Sequence, residues 1–194
     1  MERKLRPVAL AYVLFEEGDI IGHFMGYISI LHLFVIGGIV SLILLTFDNY
    51  AIYTFGIMLT NEIINYTLKI LFKHPRPHLS QNVNKGFPSS HAQFWCCFIV
   101  LFYYYINQQP KLTSISKKII VYCSTLLILL VDFSRWYLND HFVYQIVVGN
   151  VIGICVGYLG IIYYPTFFPL LSQFKLFIKQ KLTNFNLITS NQKA

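Results

Sequence analysis

KGFPSSHAQFWCCFIVLFYYYIN, running from Lys85 to Asn107, joins a polar turn directly to an apolar run. Pro88 interrupts regular structure, Ser89, Ser90 and His91 follow, and nearly everything from Ala92 to Ile106 is hydrophobic. This reads as a helix that begins at about Ser89 and enters a membrane. Its first turn has free backbone N–H groups at Ser90 and His91, and Ser89 adds a hydroxyl, so its start suits an anion.

Outward from this stretch, the chain alternates long apolar runs with short polar connections. A first span is expected from Ile20 to Phe47, a second from Ala51 to Phe72, the third from Ser89 to Ile106, a fourth from Ile119 to Tyr137 and a fifth from His141 to Tyr164. Runs near the roughly 20 residues that cross a hydrocarbon core predict an all-α, polytopic membrane bundle of about five helices in one domain, residues 1–194. Composition agrees: 56% of residues are hydrophobic and 12% charged, about half the charged share of a soluble domain. Residues 1–19 have a basic start and a short apolar run without a cleavage site, and read as an interfacial segment. The span is expected to end before Pro165, leaving 165–194, with Lys175, Lys179 and Lys181, as a surface tail. Gly149, Gly153, Gly157 and Gly160 suit close helix contact.

The net charge of +7 is scattered among apolar segments with no basic stripe, which argues against nucleic acid and for anionic lipid or a phosphorylated substrate as partner. Cys96, Cys97, Cys123 and Cys155 fall within apolar runs and read as buried thiols, with no metal-ligand spacing.

Three polar elements stand out. Lys69 is separated by six residues from Arg76-Pro77; Pro88-Ser89-Ser90-His91 follows; Ser134-Arg135 is separated by five residues from His141. They close the second span, open the third, close the fourth and open the fifth, so an alternating bundle brings them to one membrane face. Lys69, Arg76 and Arg135 suit the spreading charge of phosphoryl transfer, arginine as a planar fork and lysine as a point charge. Two histidines then divide attack and proton transfer, a scheme that calls for no metal and no other cofactor.

These spacings resemble the three-part signature of the type 2 phosphatidic acid phosphatase (PAP2) superfamily. The resemblance implies a PAP2/vanadium-haloperoxidase-like core, with His141 the nucleophile, His91 the acid, and Lys69, Arg76, Ser89, Arg135 and the Ser90 backbone holding phosphate. Pro-Ser-Ser-His-x-Gln-Phe, Pro88 to Phe94, and Gly18-Asp19-x-x-Gly22-His23 look like the dolichyldiphosphatase branch. That branch implies a metal-independent hydrolase of the endoplasmic reticulum membrane, its active site facing the lumen, releasing phosphate from a polyisoprenoid diphosphate and returning the carrier to protein glycosylation. Most of the superfamily has Asp four residues after the nucleophile, where this chain has Gln145; the amide is expected to fix the imidazole tautomer. Asp132 and Glu62 are expected to pair with site cations rather than touch phosphate. His23 and His32 read as packing or interfacial residues, and His74 and His78 as loop residues. A phosphatase for another lipid phosphate and a lipid transporter or scramblase are the competing readings. With a lumenal site, Lys111, Lys117 and Lys118 obey the positive-inside rule, while Arg3, Lys4 and Arg6 run against it.

Overall fold

A computed structural model describes residues 5–7, 13–80, 82 and 84–191. Two short strands, β1 (Leu5–Pro7) and β2 (Leu14–Glu16), pair antiparallel, and five helices follow: α1 (Ile20–Thr46), α2 (Asn49–Phe72), α3 (Ser90–Asn107), α4 (Ser114–Tyr137) and α5 (Val143–Asn191). Each of the first four starts on a side-chain cap. Asp19 accepts from Gly22 N, Asp48 from Ala51 N, Ser89 from Ala92 N and Thr113 from Ser116 N. Such caps satisfy amides that have no partner within the helix. The Thr113 cap starts α4 five residues ahead of the expected Ile119. The strands lie in the expected interfacial segment, tied by an Arg6–Glu17 ion pair; Arg3 and Lys4 are outside the described residues.

α5 does not end at Pro165. It continues through Pro165 and Pro169, although each proline removes one backbone hydrogen bond. Contacts to α2 and α3 carry it across this stretch: the Tyr164 ring lies 5.2 Å from Tyr50 and 5.1 Å from Tyr53, and Asn49 Nδ2 donates to Ser172 Oγ at 2.9 Å. Tertiary packing here outweighs the local cost of proline.

The bundle buries polar groups beside a hydrophobic core of Ile28, Met58, Phe94, Trp95, Leu101 and Val131, and turns apolar residues outward. Asn61, Asn65, Gln93, Ser134, Arg135 and Gln145 are buried, whereas Ile20, Leu45, Leu71 and Ile115 are among many large hydrophobes facing out. In water that arrangement would leave a large apolar surface exposed, so the helices require a hydrocarbon surround. By length and composition, α1, α4 and Val143–Lys181 of α5 are each long and apolar enough to cross a membrane. The interior faces of α2 and α3 carry the polar network instead: Gln93 Nε2 donates to Asn61 Oδ1 and Asn65 Nδ2 to Gln93 Oε1, at 2.9 and 2.8 Å. All four thiols are free, but Cys123 and Cys155 are exposed rather than buried as expected. They lie on outward faces of α4 and α5, where a small apolar residue meets lipid as readily as protein.

α3 and α5 make the closest helix contact, and glycine permits it. A Cβ on Gly153 would stand 2.3 Å from the carbonyl oxygen of Gln93, and one on Gly149 2.6 Å from that of Ser89. Gly153→Ala must therefore push the helices apart, at a cost of about 1–3 kcal/mol for an overpacked contact. The Tm of the detergent-purified protein should fall accordingly. Gly37→Ala, where nothing lies within 4 Å, should leave it unchanged, and an unaffected Gly153 variant would contradict the contact.

Candidate active site

The turn between α4 and α5 explains the Ser-Arg-x5-His spacing. α4 closes as Leu138 N bonds back to Ser134 O, and Asn139 takes a left-handed backbone at φ 55°. The chain thereby reverses, and the amides of Asp140 and His141 both bond to the carbonyl of Arg135, at 3.0 and 3.2 Å. One carbonyl holds both ends of the motif.

The His141 ring, 2% exposed, is oriented from one side. Nδ1 is 2.8 Å from Gly86 O and 3.2 Å from Gln145 Oε1. Both partners only accept, so Nδ1 carries the hydrogen and Nε2 the lone pair. Arg76 Nη1, 3.1 Å from Nε2, donates to that lone pair and also to the carbonyl of Asp140 at 2.8 Å. Burial first, and then the Arg76 and Arg135 charges, push the His141 imidazole down to about 3. It is neutral at physiological pH, as a nucleophile must be.

Gln145 lies against the His141 ring, and its two ends explain an amide there. Oε1 accepts from His141 Nδ1 and Phe142 N, while Nε2 donates to Pro75 O at 2.8 Å and to Tyr144 Oη at 3.2 Å. A carboxylate would set an oxygen against the Pro75 carbonyl. Through Gln145 the loop after α2 is fastened to α5, and its own carbonyl receives Ser89 N at 3.0 Å. Gly86 completes the fit, because a Cβ there would lie 2.8 Å from Gln145 Oε1 and 2.9 Å from Arg76 Cγ.

The cations gather around the ring. Arg135 Nη1 pairs with Asp140 Oδ2 at 3.0 Å, Nη2 donates to Ser29 Oγ, and Asp140 Oδ1 accepts from Asn82 Nδ2 at 2.7 Å. Half-buried Lys69 lies within charge–charge reach of Arg76 and both motif histidines. Ser89 caps α3, presenting the amides of Ser90 and His91 at its start. Lys69, Arg76, Ser89, Ser90, His91, Arg135, His141 and Gln145 thus come together at one end of the bundle. Among the described residues, no group of three His, Cys, Asp or Glu side chains is placed to hold a metal.

The two acids divide. Glu62 lies within charge–charge reach of Lys69, with no ion pair between them among the described residues. Asp132 does not pair with Arg135: its Oδ2 accepts from Asn150 Nδ2 at 2.5 Å, on the face of α4 turned to α5. Arg135 takes Asp140 instead, because the α4–α5 turn brings that residue back under the guanidinium. Asp140, Gly86 and Ser29 are site residues that motif reading misses. Asp140 carried a signal, as the acid directly before the motif histidine; Gly86 and Ser29 carried none. His74 acts in the loop, its carbonyl accepting from Gly86 N at 2.9 Å.

If Gln145 only aligns the imidazole, Gln145→Ala should lower kcat about tenfold to a hundredfold with little change in KM. Steady-state kinetics check this, and a change confined to KM would instead make Gln145 a binding residue.

The sequence pattern of the PAP2 superfamily matches residues 50–169 of the chain. Dolichyldiphosphatase 1 of Homo sapiens is 31% identical over 159 residues, covering 76% of this chain and 67% of that protein. Dolichyldiphosphatase 1 of Dictyostelium discoideum is 33% identical over 175 residues, covering 84% and 76%. In fold, the chain is similar to the transmembrane PAP2 type phosphatidylglycerolphosphate phosphatase from Bacillus subtilis, with a TM-score of 0.67, 22% identity, and coverage of 76% of this chain and 78% of that one. With its motif spacing held in this helical frame, the chain belongs to the PAP2 superfamily.

Proposed function

We propose that this chain is a lipid diphosphate phosphatase that hydrolyses dolichyl diphosphate, or a polyisoprenoid diphosphate like it, to the monophosphate and inorganic phosphate. The observation that carries the reading is a neutral imidazole with its lone pair turned into a cluster of cations. Similarity to dolichyldiphosphatases supplies the substrate class.

In this mechanism the terminal phosphate enters among Arg76, Arg135, Lys69 and the first turn of α3. Its oxygens take over the Arg76 Nη1 donor that caps His141 Nε2. The released lone pair attacks phosphorus, the bond to the bridging oxygen breaks, and a phosphohistidine forms as the polyisoprenoid monophosphate departs. His91 protonates the leaving oxygen. It then takes a proton from water, whose oxygen attacks phosphorus, and phosphate leaves as His141 regains its lone pair. The protein's cations stabilise charge that develops on the equatorial oxygens. Nδ1–H stays on the Gly86 carbonyl throughout, so the ring need not turn.

The proposed location is the endoplasmic reticulum membrane with the site on the lumenal face. The α3–α4 connection, which carries Lys111, lies at the opposite end of the bundle from the site. A cytosolic placement of that end agrees with the positive-inside tendency. A glycosylation acceptor placed in the loop at residues 78–85 should be modified; modification at the C-terminus and not in the loop would reverse the orientation.

The substrate reading is tested by phosphate release from dolichyl diphosphate, dolichyl monophosphate and phosphatidate side by side. The diphosphate should be preferred, and His141→Ala should lose at least about a thousandfold on every substrate. His91→Ala should cost less on the diphosphate than on the monophosphate, because a phosphate leaving group needs protonation less than an alkoxide does. Preference for phosphatidate would move the chain to a different lipid substrate.

A further inference from the structure

Beside the catalytic cluster lies a cavity of about 350 Å³ between α1, α2 and α3. His32, Glu62, Ser90 and His91 line it at its polar part, and residues such as Ile36 and Met58 make the remainder apolar. Ser90 and His91 also belong to the phosphate cluster, whereas His141, Arg76 and Arg135 are not among the lining residues. The cavity therefore adjoins the acid and not the nucleophile. In-line attack by His141 sends the leaving group away from that histidine, toward His91 and this space.

For a diphosphate, the departing group is itself a phosphate, and charge builds on it as the bridging bond breaks. The arginines are committed to the terminal phosphate and Asp140. Of the residues lining the cavity, His32 and His91 alone can carry positive charge. His91 acts on the bridging oxygen, which leaves His32 to meet the oxygens of the second phosphate.

The His32 ring is held for this contact. Nδ1 is 2.9 Å from the carbonyl of Ser29, which only accepts, so Nδ1–H donates there and Nε2 lies on the other side of the ring. The ring stands edge to face with His91, centroids 4.7 Å apart and planes at 77°. Ser29 in turn receives Arg135 Nη2 on its hydroxyl. One residue of α1 thus couples His32 to the phosphate-cluster arginine, and the register of α1 cannot shift without disturbing both. Glu62, in the same cavity, lies within charge–charge reach of His32, and an arriving phosphate, a second anion beside the ring, favours protonation of Nε2.

We propose that His32 is a specificity-determining residue that contacts the second phosphate of the substrate through Nε2–H and so favours a diphosphate over a monophosphate. This assignment rests on the diphosphate reading above. A monophosphate places no anionic group beyond the bridging position and makes no use of the contact.

The test compares His32→Gln and His32→Ala with the wild-type full-length chain, using kcat/KM for dolichyl diphosphate and dolichyl monophosphate. The diphosphate value should fall about tenfold to a hundredfold in His32→Ala, less in His32→Gln, which keeps a donor, while the monophosphate value changes by less than about threefold. Inhibition separates contact from misfolding: methylenediphosphonate should weaken as an inhibitor of the variants, and inorganic phosphate should not. Equal losses on both substrates, or unaltered methylenediphosphonate inhibition, would overturn the assignment alone. A wild-type chain inert toward the diphosphate would overturn the substrate reading and the assignment with it.

Discussion

The hydrogen bond from His141 Nδ1 to the carbonyl of Gly86, 2.8 Å long, turns Nε2 toward Arg76, and much of the surrounding structure is arranged to keep it. Gly86 must lack a Cβ to sit against Gln145 and Arg76. Its loop must be fastened to α5, which the Gln145 amide does through Pro75. The start of α3 must meet the same residue, which Ser89 N does. Close contact between α3 and α5, allowed by Gly149 and Gly153, is the long-range condition for that meeting. Catalytic geometry here is a consequence of helix packing as much as of the loop.

The second constraint is charge. Arg135 is 2% exposed, and a buried guanidinium without a partner would cost several kcal/mol. Asp140 supplies the opposite charge, with Ser29 and Ser134 filling further donor sites. Breaking such a pair by removing one member costs about 3–5 kcal/mol, so Asp140 stabilises the fold while leaving the cluster positive toward a phosphate. Arg76 is held differently, by the carbonyls of Asn84 and Asp140. Carbonyl dipoles orient it without neutralising it.

Helices and motif positions were legible because each is encoded locally. Apolar runs marked the five helices to within a few residues at most ends, and fixed spacings marked residues held by one turn, as with Arg135 and His141. What escaped notice depends on residues distant in sequence. Ser29 reaches Arg135, and His32 lines the adjoining cavity, only because α1 packs beside α4 and α3, and nothing around them in the chain distinguishes them from packing residues. Asp132 was misplaced because it stands one turn before Arg135, yet its side chain turns to Asn150 on α5. The end expected at Pro165 was overridden by aromatic contacts to Tyr50 and Tyr53. In each case a neighbour contributed by another helix decided the outcome.

The central claim is that His141 Nε2 forms a covalent bond to phosphorus. The direct measurement is rapid quenching of the enzyme during turnover of diphosphate labelled at its terminal phosphate, followed by mapping of the label under alkaline conditions, where phosphohistidine survives. Label is expected on His141, and none on the His141→Ala protein. Label on His91, or hydrolysis at full rate with no labelled histidine, would contradict it.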